Sequence, residues 1–567
     1  MRWFLLILAG GALCAAPKLA QTDFDKLVDH YFDEYYRYHP SQATSDGFHQ
    51  YDAEFEDCSL AANAAEIRSL ERLLTEFEHF PAGSLSPETA ADRELVIHKI
   101  QSRLLDLEKI RLWEKNPDEY SSALASSVFG IMSRSFAPPE VRLKSVNTRE
   151  RLMPNALVQA RRNLRNPPRV FTEVALEQLP GIIGFFKSDV PAAFQKVTDR
   201  NLLEEFHTSN QAVIDALNEY QQFLKDNLLP RSNGDFRIGA ENYKAKLSYD
   251  EMVETPLDRL LEIGYQNLRQ NQQAFRETAA KIDAARTPQQ ILEELQRDHP
   301  PASALLQTFR DVLDGLRQYI AAHRIVTIPP AGPPLVEETP PFERALTTAS
   351  MDSPGPYEQV AKEAFFNVTL PEPGWSVERT EQHMEAFNRG TVISTAVHEV
   401  YPGHYTQFLW VQKAPSKVRK LIDANTNSEG WAHYTEQMML DEGYGNGDLK
   451  LRLGQLQDAL LRNARYIVGI EMHTGRMSFP QAVDFFVKEG YQTRAIAEEE
   501  TKRGASDPTY LYYTLGKLEI LKLREDYRKL RGDQFQLLEF HDRFLAQGCP
   551  PVKIIRRAML GNDSPVL

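Results

Sequence analysis

The sequence predicts a mostly α-helical fold with one small β element. Apolar residues recur at helical spacing along most of the 567-residue chain. Alternation with period two is scarce, which leaves little room for sheet. One segment, 328–356, holds eight prolines and cannot be a regular helix.

In chain order, the first element is a leader. "MRWFLLILAGGALCAAPKLA", residues 1–20, has Arg2 as a short positive start and an apolar run from Trp3 to Ala16. That run has signal-peptide length and falls short of the about 20 apolar residues a membrane span takes. It carries no polar residue before Lys18, as a buried amphipathic helix would, so export is expected, to the periplasm or beyond, with no transmembrane span in the mature chain. No clean cleavage site stands out around Pro17, Lys18 and Ala20. Leu13 before Cys14 fits poorly the small residue that precedes a lipid anchor, so no anchor is expected. Without the leader only Cys58 and Cys549 remain, too few for a disulfide scaffold; pairing and two separate thiols both stay open.

Residues 21–327 read as a helical half. Leu95, Ile100, Leu104, Leu105 and Ile110 form a stripe in 90–115, and similar stripes run through 208–229 and 256–282. The proline-rich segment lacks the Gly and Ser of a flexible linker and carries Leu335, Val336, Phe342 and Leu346 to pack with. It is expected to be an ordered crossing into a second half, 328–567; an extended spacer between independent domains is the alternative. "EAFFNVTLPEP", 363–373, is the strand candidate. No fixed-period repeat or low-complexity tract occurs.

The chain is 42% hydrophobic and 25% charged, an ordinary globular composition. Its net charge of −14 argues against nucleic acid as a partner. The oligomeric state is not legible.

Chemistry concentrates in "STAVHEVYPGHYTQ", 394–407. His398 and Glu399 stand side by side, as in a zinc peptidase, but the next histidine, His404, comes six positions on rather than four. At about 100° per residue the two rings would point about 120° apart on a straight helix. Pro402 and Gly403 between them have the composition a detour requires, since proline cannot continue the helix and glycine takes conformations other residues avoid. A zinc hydrolase needs a third protein ligand and an open fourth position. Glu429, heading "EGWAHYTEQMM" with Ser428 or Asn427 as cap, is the leading choice, and His433 one turn later the competing one.

"HEVYPGHYTQ" and "SEGWAHYTEQM" together resemble the bacterial family called domain of unknown function 885, whose members look like H-E-x-x-P-G-H followed by E-G-W-A-x-Y-x-E. "TPPFERALTTASMDSPGP", "SDPTYLYYTLGKLEILKLRE", "FHDRFLAQGCPP" and the early "YFDEYYRYHPSQATSDGFHQYD" are also similar, so the resemblance covers nearly all of 21–567 and implies one elongated unit. The family resembles gluzincin peptidases. This implies one zinc on His398, His404 and Glu429, beside a deep cleft. Members often carry a second histidine after P-G-H, where Tyr405 stands here.

With zinc present, Glu399 is the expected general base. Asp507 as cap, Pro508 in the first turn and Gly532 past the end suggest one long helix. On it Tyr513 matches the family's Y-x-x-G tyrosine and is the first choice for the oxyanion donor. Lys517 and Arg524 lie roughly on the same face. His541, in the family's F-H-D, is a further donor or a holder of a substrate carboxylate. For all four, packing or a salt bridge is the competing role. The expected function is zinc-dependent hydrolysis of peptide bonds, in short peptides, with a peptide or small amide as substrate. A zinc amidase on a non-peptide or cell-wall-derived compound, a catalytically silent envelope binding protein and a structural envelope protein are the alternatives.

Overall fold

A computed structural model of the chain describes residues 15–340, 344 and 347–567, with side chains from Gln21 onward. Arg2, Cys14, Phe342 and Leu346 therefore lie outside the described residues. Among those described, the chain is mostly helical and carries one three-stranded sheet. No described helix is long and apolar enough to cross a membrane. The first helix, Ala15–Tyr38, starts inside the span expected as leader.

The apolar stripes become helices. Ser86 caps Pro87–Leu105 by accepting from the Thr89 amide, and Leu95, Val96, Ile100 and Leu105 face inward. That helix is shorter than the stripe suggests: a π-helical turn, Asp106–Ile110, follows, and Arg111 at φ 55 turns the chain away. The stripe at 208–229 begins in Arg200–Phe223, capped by Asp199, and runs on through a π-helical turn, Leu224–Leu228, while the one at 256–282 is Leu257–Ile282. Cys58 and Cys549 are both free, Cys549 being buried.

The elements around the candidate site are α1 (Arg389–Glu399), α2 (His404–Val411), α3 (Asn425–Asp441), α4 (Leu449–His473), α5 (Arg494–Ser506) and α6 (Tyr512–Arg531). Cores cross the expected boundary at 327/328. Leu260, Leu261, Leu268 and Phe275 share one cluster with Leu453, Leu460 and Ile467 of α4. Val28, Phe32 and Leu95 share another with Val418, Ile422 and Ile554. At Gly264 an added Cβ would come within 2.5 Å of the Tyr466 ring, so this glycine sets how closely Leu257–Ile282 approaches α4.

The proline-rich crossing holds two strands that its composition hides, β1 (Leu335–Glu338) and β2 (Ala349–Asp352). Together with β3 (Phe365–Val368) they form a sheet in the order β1-β3-β2, with β1 parallel and β2 antiparallel to β3. Val336 and Met351 both pair with Phe366. Phe366 is fully buried, edge-on to Phe309 at 5.0 Å, a burial that contributes roughly 2–3 kcal/mol. Leu335, expected to pack, is instead 52% exposed, because the pleat turns it away from the face that buries Val336. The strand candidate at 363–373 thus supplies the middle strand, β3, whose backbone is occupied on both sides, and the free edges belong to β1 and β2.

Candidate metal centre

Asn388 starts α1, its side chain accepting from the Gly390 and Thr391 amides. Val392, Ala396 and Val397 seat the helix in the core, and His398 and Glu399 end it. The chain then leaves the helical path over Val400–Gly403, with a cis Tyr401–Pro402 bond, and α2 restarts at His404. The detour is thus a full break between two helices rather than a local bulge. Gly403 has an ordinary φ of −71. Its contribution is closeness: an added Cβ would sit 1.8 Å from the His398 carbonyl oxygen. Its amide donates to Val397 O at 3.0 Å, and Trp431 Nε1–H donates to Pro402 O at 2.9 Å, pinning the loop.

The third residue comes from α3. This helix begins at Asn425, so Glu429 lies in its second turn and neither Ser428 nor Asn427 is its cap. Glu251, from the helix Ala240–Glu251, takes that place. Its carboxylate accepts from the Asn425 amide (3.1 Å), the Thr426 amide (2.9 Å) and the Thr426 hydroxyl (2.6 Å). Asn427 instead accepts from Gln407 of α2 at 2.9 Å, tying the two helices together. Where α3 crosses α6, Gly430 and Gly516 face each other so closely that a Cβ on Gly430 would lie 2.6 Å from Gly516 Cα. That crossing brings Tyr513 to Glu429.

His398 Nε2 and His404 Nε2 each lie 3.3 Å from Glu429 Oε2. One ligand-capable atom from each of the three residues falls within 4.8 Å of the others, the one such group of three among the described residues. His398 and His404 are 6% and 9% exposed. Glu429 Oε2 is buried with no hydrogen-bond partner. Burial opposes charge on Glu429, but the two histidines hold its carboxyl well below the usual range. On His398 burial also opposes charge, yet Glu429 and Glu436 lift the ring to about 9. A buried carboxylate with an orphaned oxygen, faced by two imidazole nitrogens, is a donor set that wants a cation.

The surroundings fit a metal as well. His398 Nδ1–H donates to Glu436 Oε1 at 2.7 Å, which leaves Nε2, on the side of Glu429, as the ring nitrogen that a metal would take in place of a proton. Glu436 is fully enclosed. Burial would raise it, and Arg462 at 2.9 Å together with His433 and His398 outweighs burial and keeps it ionised. His433, the competing ligand, gives its Nδ1–H to Glu436 Oε2 at 3.1 Å; burial lowers its pKa to about 3, so it stays neutral behind the cluster. These residues fit a two-histidine, one-carboxylate zinc site of the kind that leaves a fourth position open.

Glu399 is half-buried beside the cluster and has no hydrogen-bond partner among the described residues. Burial raises its pKa, and His398 and His404 oppose this. Tyr513 OH donates to Glu429 Oε1 at 3.2 Å and receives a hydrogen bond from Arg503 at 2.9 Å. Its helix starts at Tyr512, not at Asp507: Asp507 closes α5 by bonding back to Arg503 O, and Tyr510, wedged against Gly469 and Gly504, draws the intervening turn into the core. Gly532 at φ 52 does end α6.

His541 is not brought to the cluster. It is buried between Ile325 O (2.7 Å from Nδ1) and the Tyr434 hydroxyl (2.8 Å from Nε2), with both ring nitrogens engaged. Arg524 donates to the same Tyr434 hydroxyl and pairs with Glu442 at 2.8 Å, a packing network. Lys517 is buried without a direct partner among the described residues, and burial lowers its pKa to about 8. Tyr405, where the resemblance leads one to look for a histidine, hydrogen-bonds Gly332 O and holds the proline-rich crossing in place. Sequence reasoning assigned no role to Glu436, although it stands seven residues after Glu429 and so on the same helical face. Arg462 and Arg503 have no local signal, because they reach the site from α4 and α5.

Two solved structures share this fold. A "putative lipoprotein of unknown function" from Shewanella oneidensis is 27% identical, with a TM-score of 0.78 over 95% of this chain and 99% of that one. A "putative lipoprotein" from Colwellia psychrerythraea is 17% identical, with a TM-score of 0.80 over 96% and 99%. No curated protein matches the sequence. The family described as "Bacterial protein of unknown function (DUF885)" matches residues 40–559, and the chain belongs to that family.

Proposed function

We propose that the protein is a zinc-dependent hydrolase of peptide bonds, acting on short peptides. The observation that carries this is the convergence of His398 Nε2, His404 Nε2 and Glu429 Oε2 on one point, with Glu436 fixing the tautomer of His398. Bound there, zinc supplies Lewis acidity and lowers the pKa of a water to about 7. Glu399, unbonded and shifted upward by burial, accepts the proton of the attacking water and delivers it to the leaving amine. Tyr513 keeps its proton, because burial and Glu429 raise its pKa, and its hydroxyl donates to the carbonyl oxygen as negative charge develops there. Arg503, bonded to that hydroxyl, strengthens the donor. The near-complete burial of both histidines supports a preference for short substrates, which reach an enclosed site more readily than long chains do.

The apolar start of the sequence and the lipoprotein names of both similar structures support an exported protein of the cell envelope. Those names also weigh against the expectation that Cys14 carries no lipid anchor.

Metal content of the purified full chain, beside His404→Ala and Glu399→Gln, tests the proposal. Expected are about one zinc per chain, loss of it in His404→Ala, and its retention in Glu399→Gln with loss of cleavage across a peptide library. Wild-type protein that takes up no zinc from a zinc-buffered solution would sink the hydrolase.

A further inference from the structure

Three arginines surround the Tyr513 ring, with guanidinium carbons 5.7, 5.0 and 5.7 Å from its centroid for Arg462, Arg465 and Arg503. Two of them are committed. Arg462 pairs with Glu436 at 2.9 Å, and Arg465 grips Glu500 through two bonds of 2.6 and 2.7 Å. Arg503 is different. Among the described residues it has no carboxylate within ion-pair distance, and its hydrogen bond goes to the Tyr513 hydroxyl at 2.9 Å. The nearby Asp507 carboxylate is engaged by Tyr512 at 2.6 Å. Among the described residues, the remaining N–H groups of Arg503 have no hydrogen-bond partner and are not sealed from solvent.

A partly buried guanidinium is normally hydrogen-bonded directly to a carboxylate. Glu500 and Asp507 hold Arg503 in its charged form through space, but neither bonds it, so the guanidinium stays charged while its remaining N–H groups are left without an acceptor among the described residues. The open fork is one hydroxyl away from Glu429, since Tyr513 bonds both. A planar cation with free, parallel N–H groups matches a carboxylate.

We propose that Arg503 binds the terminal α-carboxylate of the substrate, so that the protein removes the last residue of a short peptide. This rests on the hydrolase proposed above. Water adds to the carbonyl carbon of the final peptide bond, the C–N bond breaks, and the leaving nitrogen takes the proton held by Glu399. The products are a shortened peptide carboxylate and one free amino acid, whose own carboxylate stays on Arg503 until release. Arg503 thereby sets both the class of substrate and which bond is cut.

The test compares the zinc-loaded full chain with Arg503→Gln and Arg503→Lys on peptide pairs that differ only in a free or amidated carboxyl end. Wild type is expected to cleave the free acid about 100-fold more efficiently in kcat/KM, as fits loss of a charge-assisted hydrogen-bonded pair, and to release single amino acids. Arg503→Gln is expected to raise KM for the acid and bring the acid-to-amide ratio near one, and Arg503→Lys to restore part of it. Equal cleavage of acid and amide by wild type overturns the proposal, as does an Arg503→Gln variant that loses both in proportion, the mark of a merely structural role. Calorimetry on Glu399→Gln gives a readout without turnover: the acid is expected to bind at least about tenfold more tightly than the amide, and the added Arg503→Gln change to erase the difference. If no peptide is cleaved at all, the hydrolase falls and calorimetry alone decides, a lost preference in the double variant upholding the carboxylate site and no preference in Glu399→Gln overturning it.

Discussion

Gly403 shows how one missing methyl group can govern the site. It bonds Val397 O and lies against the carbonyl of His398, where a Cβ would stand 1.8 Å from oxygen. Gly403→Ala must push α2 away from α1 and carry His404 with it. The expected outcome is loss of stoichiometric zinc and a destabilisation of about 2–3 kcal/mol, checked by metal analysis and thermal unfolding. Residue type and spacing single out the two histidines, the glutamate beside them and Glu429 in the sequence, and the structure brings His398, His404 and Glu429 together. The Pro-Gly pair was legible as a break, but not the reason for the glycine, since a contact distance has no local signature. His541 shows the converse limit: a histidine within a matching motif sits in the core with both nitrogens bonded, and only its partners, Ile325 and Tyr434, reveal that.

At the scale of elements, the helix that carries Glu429 draws its cap from a distant part of the chain. Ser428 and Asn427 look like caps because local rules favour such residues, whereas Glu251 meets the first amides of α3 from the end of another helix. Burial lifts Glu251 to about 7 in spite of its three donors. A carboxyl raised in the folded state contributes stability that is full below its unfolded value of 4.5 and is lost as pH rises through about 7. Urea unfolding at pH 5 and pH 7.5 is therefore expected to show a lower stability at the higher pH, with a smaller difference in Glu251→Gln. Some slope should persist, because burial also raises the neighbouring Glu519. Glu251→Ala, leaving the Asn425 and Thr426 amides without acceptors, is expected to cost about 1–3 kcal/mol at either pH. The helical stripes were legible at this scale. The strands β1 and β2 were not, because proline content masks short strands whose order depends on β3 between them.

Across the whole molecule, the division at 327/328 read from the proline-rich segment marks a change of composition, while the cores run straight through it. Leu453, Leu460 and Ile467 need the helix Leu257–Ile282, and α3 needs Glu251. Expressed alone, residues 328–567 are expected to show no cooperative unfolding and to hold no zinc, and addition of 21–327 in trans to restore helical signal and metal together, as read by circular dichroism and metal analysis. There is an order in time here as well. Residue 251 leaves the ribosome before residue 425, so the acceptor for α3 is already made when that helix emerges, and the segment that carries the candidate metal centre completes itself against a surface waiting for it. A centre assembled in that way is not a cassette: it cannot be lifted from this chain and set into another scaffold without taking its earlier half along.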